Sequence, residues 1–192
     1  MPRWEPESQA RLEEAALALF GERGFERTTV AEIAARAGLT ERTFFRYFAD
    51  KREVLFGGAA ALQEVLVNAV ASAPDSAAPI DMVAAALLAA GTLLQERRTF
   101  ARKRQAVIVA NAELLERELI KLASLAVALA DALRGRGVPG PTATLTGEAG
   151  IAVFKVAFQR WVEPRTKQDL PQCIRASLDE LKAITTSPGK FL

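Results

Sequence analysis

Apolar positions recur at helical spacing along almost the whole chain. Leu12, Ala15, Ala16, Leu19 and Phe20 fall on one side of a first helix when residues advance by about 100°. Gly24 follows at a left-handed C-cap position, with Phe25 set to fold back on Phe20. A second helix is predicted from Thr29, whose hydroxyl caps it while Glu32 completes a capping box. Its apolar face is Val30, Ile33, Ala34 and Ala37, and Gly38 stops it. Thr40 caps a short third helix that ends near Ala49. Asp50 and Glu53 make another capping pair, so a fourth, longer helix is expected from about Lys51.

The turn formers "APDSAAP" then mark a linker, Ala73 to Pro79. Five further helices are predicted: Ile80 to Arg97, one across "ARKRQAVIVAN", Glu113 to Arg134, Ala143 to Val162, and Leu170 to Thr185. The stretches "GRGVPGP" and "EPRTKQD" separate the last three. No run shows sustained period-two alternation, and no internal repeat is visible. The pattern predicts an all-α chain of about nine helices.

The third helix is two-sided. Within "GLTERTFFRYFADKREVLF", Phe44 and Phe48 share one side, while Arg42 and Arg46 lie nearly opposite with Thr43 and Tyr47 beside them. Phe45 sits off the centre of the apolar side, next to Glu41. Ahead of it, Ala34 allows a close helix crossing, Gly38 permits a positive φ, and Leu39 plugs the corner. That is a helix-turn-helix. The third helix is roughly 13 Å long at 1.5 Å per residue, which fits a DNA major groove. Arg42, Thr43 and Arg46 are then placed for base edges, and Thr29, Thr40, Tyr47 and Lys51 for phosphates.

Composition narrows the chemistry. The chain has 192 residues, 50% hydrophobic and 25% charged, ample for a core. It contains no histidine, which removes the commonest general base and zinc ligand. One cysteine, Cys173, excludes an internal disulfide and reads as a small buried hydrophobe. No catalytic or metal-binding set stands out, and no cofactor is expected. Glu113, Glu116 and Glu118 read as a solvated face, as does the cluster Arg97, Arg98, Arg102, Lys103 and Arg104 around Phe100.

Net charge is only +2. Residues 1–56 carry nine basic and ten acidic side chains, so affinity for DNA must come from placement; Glu41 suits a cytosine amino group. The longest uncharged stretch, between Asp81 and Glu96, holds fourteen residues, short of the roughly 18 needed to suggest a membrane span. The start, "MPRWEPESQ", has no apolar leader core. The expectation is a cytoplasmic protein with no membrane partner.

The segment from about Ala10 to Phe56, "ALALFGERGFERTTVAEIAARAGLTERTFFRYFADKREVL" within it, resembles the tetracycline-repressor (TetR) family of bacterial regulators. The resemblance implies that Thr29 and Thr40 hold phosphates as caps, that Tyr47 and Lys51 contact phosphates, and that Glu41, Arg42, Thr43, Phe45 and Arg46 read bases. Phe45 stands where the family commonly has tyrosine, so a hydroxyl contact is missing there. The resemblance further implies a helix-turn-helix domain, 1–52, followed by an effector-binding and dimerisation domain, 53–192. It also implies a homodimeric repressor that a small molecule releases from a palindromic operator.

In the second domain, Ile151, Phe154, Phe158 and Trp161 form one stripe and Leu170, Ile174, Leu178 and Leu181 another. Each fits ordinary core. By resemblance, Ile151, Trp161, Ile174, Leu178 and Leu181 are expected at the dimer interface. Leu87, Leu88, Gly91, Val107, Leu122, Phe154 and Phe158 suit either a filled core or a pocket for a small apolar or weakly polar ligand. Mid-helix Gly91 favours the pocket because it makes room. An activator of the same fold, a protein-docking helical module and an α-helical enzyme are the alternatives.

Overall fold

The computed structural model describes residues 5–186. The reading of the first four residues as part of a leaderless start lies outside them, as do the outer ends of the two expected domains. Among the described residues there are nine α-helices and no strand: α1 Glu5–Arg23, α2 Val30–Arg36, α3 Glu41–Tyr47, α4 Ala59–Ala71, α5 Pro79–Gln95, α6 Arg98–Val109, α7 Ala112–Gly135, α8 Gly140–Val162 and α9 Leu170–Thr186. A single 3-10 turn, Glu53–Leu55, lies between α3 and α4. The expected all-α chain is the observed one.

Packing divides the chain into two units, and not at residue 52. Of the described residues, the first takes those up to Ala60 together with Thr99–Glu118; the second takes Ala61–Arg98 and those from Leu119. In the first unit Leu12, Ala16, Phe20, Ile33, Phe44 and Phe48 form a core that Val54, Leu55, Phe56, Ile108 and Leu114 complete. The expected long helix from Lys51 is absent because three consecutive side chains, Val54 to Phe56, all enter this core. A helix leaving the unit would turn at least one of them outward. Asp50 still caps, accepting from the Arg52 and Glu53 amides at 2.8 and 3.2 Å. The Glu53 carboxylate pairs with Arg117 instead of closing a box.

Gly57 then lets the chain pass α1. A Cβ there would stand 2.6 Å from Glu13 Oε1 and 2.7 Å from Gln9 Nε2.

Arg104 corrects the reading of its cluster as a solvated face. Its guanidinium donates to the Leu55 carbonyl at 2.6 Å and forms a two-point pair with Glu118, at 3.3 and 2.6 Å. It also stands 4.9 Å from the Phe56 ring centre. Both partners of the pair are mostly buried, so Glu118 is not solvated either.

In the second unit α5, α8 and α9 pack on one another. Glycines set the close approaches: a Cβ on Gly147 would fall 2.6 Å from the Ala126 carbonyl oxygen of α7, and one on Gly150 would collide with Val83 of α5. Two arginines close helix ends. Arg98 donates to the carbonyls of Trp161 and Thr166 at 2.9 and 2.6 Å. Arg136 donates to those of Ala71 and Ala73 at 2.7 and 2.8 Å, satisfying carbonyls that the end of α4 leaves unpaired.

Candidate nucleic-acid interface

The turn before α3 is built from local signals. Thr29 caps α2 by accepting from the Glu32 amide at 3.2 Å, and Glu32 accepts from the Thr29 amide at 2.9 Å. Those Thr29 bonds hold the Glu32 carboxyl below the usual carboxylate range. Ile33 and Ala34 are buried. Gly38 has φ +65°, and the next amide, Leu39, donates back to Ala34 at 2.8 Å. A second constraint comes from α1: Arg11 donates to the Ala37 carbonyl, and its Nη2 lies 2.8 Å from where a Cβ on Gly38 would stand. Glycine is favoured here by the backbone conformation, while the near guanidinium is the movable end of a long side chain.

Thr40 begins α3, accepting from the Thr43 amide at 3.2 Å. Phe44 and Phe48 are buried, with ring centroids 5.3 Å apart. They lock the helix against the core and leave Arg42 and Arg46 exposed nearly opposite, Glu41 and Phe45 exposed at the flank, and Thr43 half-buried. All five side chains expected to read bases thus lie on or beside one outward face. Arg46 turns along it, donating to the Tyr47 hydroxyl at 2.8 Å.

The side chains expected at phosphates differ in their duties. The Tyr47 hydroxyl accepts from Arg46, which leaves its own proton to donate. The Thr40 hydroxyl is shared with that of Thr43 at 3.0 Å. Thr29 spends its hydroxyl on the cap, since it also meets Glu32 Oε2 at 3.0 Å. Lys51 donates to the Phe25 carbonyl at 2.8 Å and stands 4.2 Å from the Phe25 ring centre, so its ammonium is tied to the loop after α1. Thr29, though exposed, and the half-buried Lys51 therefore already have structural partners. Arg11 was invisible to sequence reading, because nothing local marks a surface arginine that reaches 26 residues ahead.

The comparisons with known proteins bear on this geometry. The model of bacterial regulatory proteins of the tetR family matches residues 12–56, the whole helix-turn-helix. The model of the MftR C-terminal domain matches residues 77–186, more than half of the chain. The chain belongs to the TetR family of bacterial regulatory proteins. It is 38% identical over 74 residues to the HTH-type transcriptional regulator TcmR of Streptomyces glaucescens, covering 38% of this chain and 33% of that one. It is 36% identical over 108 residues to MftR of Mycobacterium tuberculosis, covering 54% and 52%. The chain thus spans a third to about half the length of these curated relatives.

Among solved structures, a SmeT–triclosan complex superimposes with a TM-score of 0.65 at 23% identity, over 96% of this chain and 97% of that one. SmeT is described as the repressor of the Stenotrophomonas maltophilia multidrug efflux pump SmeDEF. At that identity the likeness concerns the fold. The family is one of regulators and not of enzymes.

The second unit of this TetR-family chain corrects the expected interface. Ile151, Trp161, Ile174 and Leu178 are buried within the single chain, Trp161 and Ile174 completely, which leaves them little surface to offer a second copy. Leu181 is half-buried. The outward side of α8 carries a different apolar set: Leu145, Ala152 and Val156 are exposed and Ala149 is half-buried.

The residues expected at the pocket are divided between the two units. Val107 packs against the first unit's core. Leu87 and Phe154 are buried, while Leu88, Leu122 and Phe158 are half-buried. The space at Gly91 is taken by protein: a Cβ there would meet Ile174 Cδ1 at 2.8 Å and Pro171 at 3.4 Å. An open groove of about 640 Å³ lies elsewhere in the second unit, between α4 and α7, lined by Gln63, Val67, Ser124, Val127, Ala128, Asp131 and Ala132. Among the described residues no group of three or more acidic, cysteine or histidine side chains gathers to hold a metal. No single described helix is long and apolar enough to cross a membrane.

Proposed function

We propose that this regulator is a homodimeric, sequence-specific repressor that a small apolar or weakly polar molecule releases from a palindromic DNA operator. The observation that carries the reading is α3 itself: two buried phenylalanines fix a helix whose opposite side presents Arg42 and Arg46. Guanidinium groups pair with guanine O6 and N7 in the major groove, and cap and tyrosine hydroxyls suit phosphates. The names of TcmR and SmeT, a transcriptional regulator and a repressor, support the regulatory role.

Two copies would meet through the exposed stripe of α8, Leu145, Ala149, Ala152 and Val156, which recur at helical spacing on one side. A dimer carries two α3 helices and so calls for two half-sites. The effector would lie in the α4–α7 groove, whose volume falls in the range of small-molecule sites. The triclosan complex of SmeT supports a small, largely apolar ligand for this fold.

Selection of bound duplexes from a randomised pool tests the reading. The expected product is a short palindrome whose binding weakens steeply with salt. A protein that shifts no duplex at low salt would instead be a protein-docking module.

A further inference from the structure

The exposed side of α3 consists of two rows, each spaced by one helical turn: Glu41 then Phe45, and Arg42 then Arg46. Phe45 is 54% exposed. Among the described residues up to Ala60, every other leucine, isoleucine, valine and phenylalanine is buried or half-buried. A ring left in water adds little to the stability of the unit that carries it. Its position is nonetheless held. Phe45 meets the buried Phe44 ring edge-on, with centroids 5.5 Å apart and planes at 83°, an arrangement that ring quadrupoles favour.

Such a ring has neither donor nor acceptor to offer a base edge. Laid on guanine, adenine or cytosine it would cover N7, O6 or an amino group without replacing the hydrogen bonds of the displaced water. Thymine is the one base that presents an apolar group in the major groove, its C5 methyl. We infer that Phe45 is a specificity-determining residue that selects thymine by packing its ring on the C5 methyl, beside the bases met by Arg42 and Arg46. This rests on the reading of α3 as a DNA-reading helix, and adds the base that its one exposed ring calls for.

The test begins with the site that the full chain selects from a randomised pool. Each thymine is replaced in turn by deoxyuridine, which deletes the methyl and keeps the pairing edge, and affinity is measured by anisotropy at fixed salt. At one thymine per half-site the replacement is expected to weaken binding about fourfold, the worth of one buried carbon. That penalty disappears in Phe45→Ala, while penalties elsewhere persist. Phe45→Leu serves in its place if circular dichroism shows Phe45→Ala misfolded. Tight, sequence-selective binding with no methyl penalty, or with one that Phe45→Ala and Phe45→Leu both retain, overturns the assignment and leaves the DNA-reading role standing. Failure to bind any duplex at low salt overturns both.

Discussion

Arg46 lies along the ring of Tyr47, its guanidinium carbon 4.9 Å from the ring centre and its Nη2 donating to the hydroxyl at 2.8 Å. The pair holds an exposed cation near one pose before a duplex arrives, which reduces the rotamer entropy lost on contact. Tyr47→Phe keeps the ring and removes the acceptor. It is expected to weaken binding by about 0.5–1.5 kcal/mol on the selected duplex, where Arg46 meets its base, and by less on a scrambled one. Arg46→Ala is expected to cost about 1–3 kcal/mol on the selected duplex and to relax preference at one position. Anisotropy titrations of both variants on both duplexes separate positioning from reading.

The glycines of α8 and α5 differ in what their neighbours can yield. A Cβ on Gly147 would press on backbone, 2.6 Å from the Ala126 oxygen and 3.3 Å from the Ala130 nitrogen. Gly147→Ala is therefore expected to destabilise by about 1–3 kcal/mol. At Gly91 the nearest atom is the flexible end of Ile174, and alanine regains up to about 1 kcal/mol of helix propensity. Gly91→Ala should lower the thermal midpoint by less than half as much as Gly147→Ala. Equal midpoint losses would show that Ile174 cannot move.

The Arg104–Glu118 pair joins α6 and α7 to the chain segment after α3 within the first unit. Arg104→Met leaves a mostly buried carboxylate without its partner, a change expected to cost about 3 kcal/mol in urea unfolding. Adding Glu118→Leu removes the orphaned charge and is expected to restore a large part of that loss. A double variant no better than the single one would place the damage at the Leu55 carbonyl instead.

Acid sensitivity follows from four lowered carboxyls. Hydrogen bonds from Thr29 lower Glu32, and side-chain bonds from Arg36, Arg52 and Arg160 lower Glu22, Asp50 and Glu180. When the folded value is the lower one, the unfolded chain takes up protons first as pH falls. The support these groups give is then complete above their ordinary range near pH 4.5, and is lost as the pH drops through the lowered values. Histidine is absent, and burial pushes the Cys173 thiol up, away from neutrality. Urea unfolding is expected to give constant stability from about pH 5.5 to 7.5 and a decline below about 4.5. Glu32→Gln should make that acid decline shallower.

The sequence was most legible where the determinants are local. Thr29 with Glu32, Gly38, Thr40, and the four-residue step from Phe44 to Phe48 each declare their role within one or two turns, and each stands in the structure. The contacts of Arg11, Arg98 and Arg104 cross 26, 63 and 49 residues, and no spacing rule marks them. At the expected interface, four of the five residues are buried within the chain, for a different reason. Helix α8 is apolar on two sides, Ile151 with Trp161 on one and Leu145 with Val156 on the other. Periodicity finds a stripe without telling which stripe faces inward. At Gly91 the pattern shows a missing side chain but not that α9 fills the space.

Parallel selection of duplexes by the unaltered chain and by Arg42→Ala/Arg46→Ala most directly tests whether the outward side of α3 reads DNA. The unaltered chain is expected to enrich a palindrome, and the variant, with unchanged helicity and thermal midpoint, to enrich none. Enrichment of the same palindrome with equal affinity by the variant would contradict the role given to that face.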